Sequence, residues 1–218
     1  MGKSTLKMHI IVGICLAFIV CFNGNGNAHD LPGFDNRKPV CLEYYPTNPS
    51  LFNKTVRPFV TQIIDRHGLE EWKATLLTNE MHRHLGLWSL IGAKMGVRAR
   101  EVLDTPFDAI KVVSFAGYKP PFSCINDGIQ ISTGASLGRG TISNTLLGQP
   151  EAIFVYHEKR FLMAPKPEIR ATVKQVIKDL SEKYGFQSPR YFEELDKVSV
   201  KYWLEWKRDE MFVETFLK

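Results

Sequence analysis

Residues 87–103, LWSLIGAKMGVRAREVL, set the strongest constraint on what this chain can fold into. Trp88, Ile91, Met95, Ala99 and Val102 recur at steps of three and four, which puts them on one face of an α-helix and predicts a helix over 87–103. Gly92 and Gly96 lie one turn apart inside it. A glycine there costs about 1 kcal/mol relative to alanine, so the pair points to another backbone packed close by, with simple tolerance as the alternative.

The surrounding segments fill out a fold class. Residues 59–77 carry apolar positions at helical spacing with Gly68 as an expected break, and His67 reads as a surface residue. After Pro106 the pattern shifts to the short β-branched run AIKVVSFAGY, a strand ending at Gly117. EAIFVYHEKRFLMAP reads as a hairpin turning near Glu158 and Lys159, with His157 at the surface. Pro167 opens an amphipathic helix that Gly185 closes, with Ile169, Val173, Val176, Ile177 and Leu180 on its inner face. A shorter helical or mixed segment follows, and MFVETFLK closes as a strand. Without a strict strand–helix–strand rhythm, the expectation is one α+β domain over 59–218, its mainly antiparallel sheet packed against helices.

The start of the chain reads differently. A basic beginning, an apolar stretch of about thirteen residues from Ile10 to Phe22 and a small, polar exit ending at Ala28 describe a secretory signal over 1–28. The stretch is short of the roughly twenty residues that span hydrocarbon, so no stable membrane span is expected after cleavage, and the protein should be periplasmic or secreted. Prolines at 32, 39, 46, 49 and 58 make residues 29–58 an irregular strap. The net charge of +5 falls to +3 without Lys3 and Lys7, too mild a balance for a nucleic-acid partner. Cleavage leaves Cys41 and Cys124, which either form one disulfide or leave Cys124 as a free thiolate in a site.

Two stretches could carry chemistry. His82 and His84 cannot share a regular helix face, but an extended segment or a loop entering the next helix can point both the same way, and two imidazoles suit a divalent transition metal. Further on, SCINDGIQISTGASLGRGTI places Cys124 and Asp127 on neighbouring positions of a first helical turn. The dipole of a helix favours a thiolate at its N-terminus, while an inert buried cysteine is the plainer account. TGASLGRGT departs from the phosphate-loop pattern, with three residues between its glycines and no Lys-Ser/Thr pair. Backbone amides around Gly138 and Gly140, with Arg139, could still hold an anion, or the glycines simply make turns.

In order along the chain, HRHLGLWSLIGAKMG and CINDGIQISTGASLGRG resemble the FmdE family of formylmethanofuran dehydrogenase components, over about residues 79–164. The resemblance implies a cavity where His82, His84 and Cys124 meet around a divalent metal, zinc being the usual one, with Asp127, Gln130 and Thr133 orienting the ligands. Relatives of this kind carry cysteine where this chain has Gly86 and Ala135. The resemblance also implies a homodimer.

The expectation is therefore an exported metal-binding protein with three protein ligands and an open position for a small molecule, Asp127 being the candidate catalytic carboxylate. An alternative is a carrier of a tetrapyrrole or metal complex, with Trp88 and the Gly138–Arg139 turn as pocket walls. A metal-free structural protein with a Cys41–Cys124 disulfide is the third reading.

Overall fold

A computed structural model describes residues 41–218. The expected leader and the first part of the strap lie outside the described residues. Residues 41–58 are irregular apart from 3₁₀ turns at Pro49–Leu51 and Arg57–Phe59. They are nonetheless anchored: the Trp72 indole donates to the Pro46 carbonyl at 2.9 Å, and Phe52 packs edge-on against the same ring.

Helix α1 spans Val60–His82 and breaks at Gly68, whose φ of 82° lies in the region that favours glycine. His67, expected at the surface, is buried instead and bonds the Leu204 carbonyl at 2.9 Å. It belongs to a cluster of charges that linear periodicity reveals only in part: Glu71 lies one helical turn on, but Lys94 and Arg208 are distant in the chain. Lys94 and Glu71, both fully buried, form an ion pair; Lys94 also donates to the Trp206 carbonyl at 2.8 Å. Arg208 reaches the other Glu71 oxygen at 3.0 Å and the His67 carbonyl at 2.8 Å. A buried carboxylate is tolerable when it is paired in this way, and removal of one partner leaves a costly charge.

Helix α2, Leu87–Leu103, is buried on nearly every side. Its glycines are explained by helix α3, Ile125–Thr133, which crosses it. A Cβ built on Gly92 would stand 2.1 Å from the Ile125 carbonyl oxygen, and one on Gly128 would stand 2.2 Å from the Ser89 oxygen and the Ala93 nitrogen. The backbones touch because neither position has a side chain.

The sheet has the order β2-β1-β3-β4-β5, with β1 Lys111–Ser114, β2 Ile142–Asn144, β3 Ala152–Tyr156, β4 Lys159–Pro165 and β5 Phe212–Leu217. Only β1 and β2 run parallel; Val113 faces Ser143 on one side and Ile153 on the other. The α+β class with a mainly antiparallel sheet is thus observed. The parallel pair encloses α3 as a single strand–helix–strand crossover that sequence reading missed, since β2 has three residues and gives no periodicity. The β3–β4 hairpin turns at the exposed His157, with φ of 50°.

Helix α4, Pro167–Tyr184, ends at Gly185 as expected. Helix α5, Pro189–Glu205, is longer than the mixed segment anticipated; Ser188 caps it by accepting from Tyr191 N at 3.0 Å. The main core gathers Ile91 and Met95 of α2, Ile125 and Ile129 of α3, Phe154 and Phe161 of the sheet and Val173 of α4. Among the described residues no helix is long and apolar enough to cross a membrane.

Candidate functional site

The crossover creates a crevice beyond the carboxyl ends of the parallel strands, where open α/β arrangements hold ligands. The chain leaves β1 at Ser114, passes Gly117 and Tyr118, and enters α3 through a 3₁₀ turn at Phe122–Cys124. Asn126 braces this turn: it accepts from the Ser114 hydroxyl at 2.5 Å and donates to the Gly117 carbonyl at 3.1 Å. Asn144, at the end of β2, accepts from Gly117 N at 3.0 Å. The result is a cavity of about 350 Å³.

His82, Cys124, Asp127 and Gln130 line it, with Tyr118 and Leu137 on the outer wall. His82 is the last residue of α1, which stops because Arg83 takes a left-handed conformation with φ of 68°. Leu85 N then donates to the Asp196 carboxylate at 2.8 Å, fixing the passage into α2. From this corner the His82 ring reaches α3, and its Nδ1 meets Asp127 Oδ2 at 2.7 Å. The Asp127 hydrogen bond, followed by the influence of Cys124, raises the His82 pKa to about 9 against the opposing effect of burial. Nε2 of His82 is shielded from solvent and meets no oxygen or nitrogen partner, with the Cys124 thiol as the one polar group beside it. An unpaired buried nitrogen costs roughly 1–3 kcal/mol.

The His84 ring packs at a tilt against the His82 ring at 4.3 Å and against Phe192 at 4.9 Å, ring centre to ring centre. Burial, then the neighbouring His82 charge, lowers its pKa to about 4, so it is neutral. It adjoins the site without lining the cavity. The two distant stretches therefore converge. Among the described residues no three His, Cys, Asp or Glu side chains are gathered as a ready-made ion cage. The donors at hand are His82 Nε2 and the Cys124 sulfur, an imidazole and a thiol of the kind that soft transition metals take.

A sequence model of the FmdE family, described as "FmdE, Molybdenum formylmethanofuran dehydrogenase operon", matches residues 81–213. The chain belongs to the FmdE family. A crystal structure of a tungsten formylmethanofuran dehydrogenase FmdE-like protein from Syntrophus aciditrophicus is 16% identical, with 64% of this chain and 67% of that one covered and a TM-score of 0.40. No curated protein matches.

Within this FmdE domain the other residues singled out from sequence are scattered. Gln130 lines the cavity. Thr133 does not; its buried hydroxyl donates to the Ile129 carbonyl at 2.6 Å and accepts from Ala135 N, closing α3. Trp88 lines a second cavity. Gly138 faces open space, and Arg139 pairs with Asp108, so of that turn only Leu137 reaches the first cavity. Cys41 is exposed and Cys124 half-buried, and both are free, so the disulfide between them is not formed. A Cβ built on Gly86 would lie 3.2 Å from His82 Nε2, so the position where the resemblance places a cysteine points at the same unpaired nitrogen. Asn126 and Asn144 escaped sequence reading, although Asn126 lies beside Asp127 in the motif.

Proposed function

We propose that this FmdE-family chain is an exported protein that binds one divalent transition metal, zinc for preference, through His82 and Cys124, and offers its open side to a small molecule in the adjoining cavity. One observation carries the reading: His82 has Nδ1 committed to a carboxylate while Nε2 is buried with no oxygen or nitrogen partner and only a thiol beside it. A metal-bound histidine characteristically donates its other ring nitrogen to a carboxylate, which fixes its tautomer and orientation. Asp127 would do that here. His84, neutral and packed at a tilt against His82, is the nearest further imidazole and would supply a third donor by turning toward the ion. A bound ion of this class supplies Lewis acidity or an activated water. The chain's own part is to hold His82 in one orientation, and to narrow access through Tyr118 and Leu137. Pairing of two copies is part of the same proposal, resting on the family resemblance.

The metal content of the purified chain, measured by elemental analysis together with a thiol count, tests this. Near-stoichiometric zinc is expected, with a loss of at least tenfold in Cys124→Ser and a smaller loss in Asp127→Asn. A second reading rests on the same ring: a cysteine beside a histidine that a carboxylate orients is also the arrangement of a thiol nucleophile. Metal-free protein whose Cys124 is alkylated rapidly, with chelator making no difference, would overturn the metal reading and favour this one.

A further inference from the structure

A second cavity of about 350 Å³, within the range of about 300–1,000 Å³ typical of small-molecule sites, lies on the other side of the 3₁₀ turn. Pro120, Ser123 and Cys124 face the first cavity, while the intervening Pro121 and Phe122 face this one. Its inner wall is Trp88, 4% exposed, with Phe122 set edge-on at 5.0 Å. Pro150 and Gly148 form one side. The opposite side is a stripe of α4, where Arg170, Lys174 and Ile177 succeed one another at steps of four and three and so share a face.

Charge separates this cavity from an ordinary apolar dent. Among the described residues no acidic side chain lines it. Two other cations of the C-terminal helices have carboxylate partners, Lys178 with Glu182 at 3.8 Å and Arg190 with Glu193 at 2.9 Å, while Lys183 lies over the Tyr184 ring. Neither Arg170 nor Lys174 has one among the described residues, though Arg170 is half-buried. An aromatic and proline-walled hollow with two unpaired cations on one edge suits a ligand with an apolar body and an anionic end. The body would take the aromatic wall, and the anion would take the guanidinium fork and the ammonium. A bare inorganic anion would leave the apolar wall unused, and an uncharged hydrocarbon would leave the cations unused.

We propose that this cavity is a binding site for a small amphipathic carboxylate, an aryl- or alkyl-substituted acid, independent of any metal in the first cavity. Calorimetric titration of the purified full chain with 4-phenylbutyrate, and separately with its uncharged amide, tests it. One acid per chain is expected, with the amide at least tenfold weaker. Arg170→Gln/Lys174→Gln, which changes only the rim of a helix, should weaken the acid at least tenfold and leave the amide unchanged. Cys124→Ser should bind the acid as the wild type does, whatever its metal content. The proposal is overturned if acid and amide bind alike, if neither binds at millimolar concentration, or if the double variant binds the acid normally. Loss of binding in Cys124→Ser alone would also overturn it, by placing the carboxylate in the first cavity.

Discussion

Replacing Gly128 with alanine probes the helix crossing on which the candidate site rests. In a solvent-facing helix the change should stabilise by about 1 kcal/mol. Here the added carbon would stand 2.2 Å from the Ala93 nitrogen and the Ser89 oxygen and 2.6 Å from the Gly92 carbonyl carbon. These are backbone atoms of α2, a helix packed on nearly all sides, so no flexible side chain can move out of the way. Non-bonded carbon contacts settle near 3.5–4.0 Å, so α2 and α3 must part by roughly 1 Å or more. The displacement would be felt at Ile125 and Ile129, each 0% exposed, whose contacts with the core would open. Overpacking costs about 1–3 kcal/mol in general, and an immobile neighbour places this case at the upper end, about 3 kcal/mol. For a chain of this size that corresponds to a fall in Tm of about 6–12 °C. Thermal unfolding followed by circular dichroism provides the measurement. Gly138→Ala, which meets open space, serves as the control and should stay within about 0.5 kcal/mol of wild type. A Gly128→Ala protein that melts at or above the wild-type temperature would refute the close crossing.

Two further outcomes concern the buried charges. Lys94→Met removes the cation closest to a fully buried Glu71 and should cost about 3 kcal/mol, the lower end for a broken buried pair because Arg208 still holds the carboxylate; the urea midpoint reads this, and an unchanged midpoint contradicts it. His67 has its pKa lowered by burial and then by the Lys94 charge, so as pH drops below its ordinary 6.5 the unfolded chain takes up a proton that the folded chain refuses, and stability falls. His67→Gln, still able to donate to the Leu204 carbonyl, should flatten this acid limb in pH-dependent unfolding; an equally steep limb would show that His67 is not its source.

Much of the fold could be read locally. The α2 and α4 boundaries, the break at Gly68 and the hairpin follow from apolar spacing, a helix-opening proline and turn glycines, all of which act within a few residues. The meaning of Gly92 was legible as a close approach, but not its partner. Of the candidate residues read from the two motifs, His82, Cys124, Asp127 and Gln130 line the first cavity, whereas Thr133, implied by the resemblance, and Gly138 and Arg139, read as an anion-holding turn, lie outside it. His67 reads as exposed for the converse reason: beyond Glu71, one turn on in its own helix, its neighbours Lys94 and Arg208 come from a second helix and a distant turn.

What the chain specifies by itself is a set of residues with short-range preferences: which segments coil, which extend, and where imidazole, thiol and carboxylate are available. What needed the tertiary structure is the pairing of those groups. His82 and Asp127 stand 45 residues apart, and they meet because Gly92 and Gly128 let α3 lie against α2 with backbone touching backbone. Local propensity cannot encode that contact, since its free energy comes from packing between elements and exists only once both are in place.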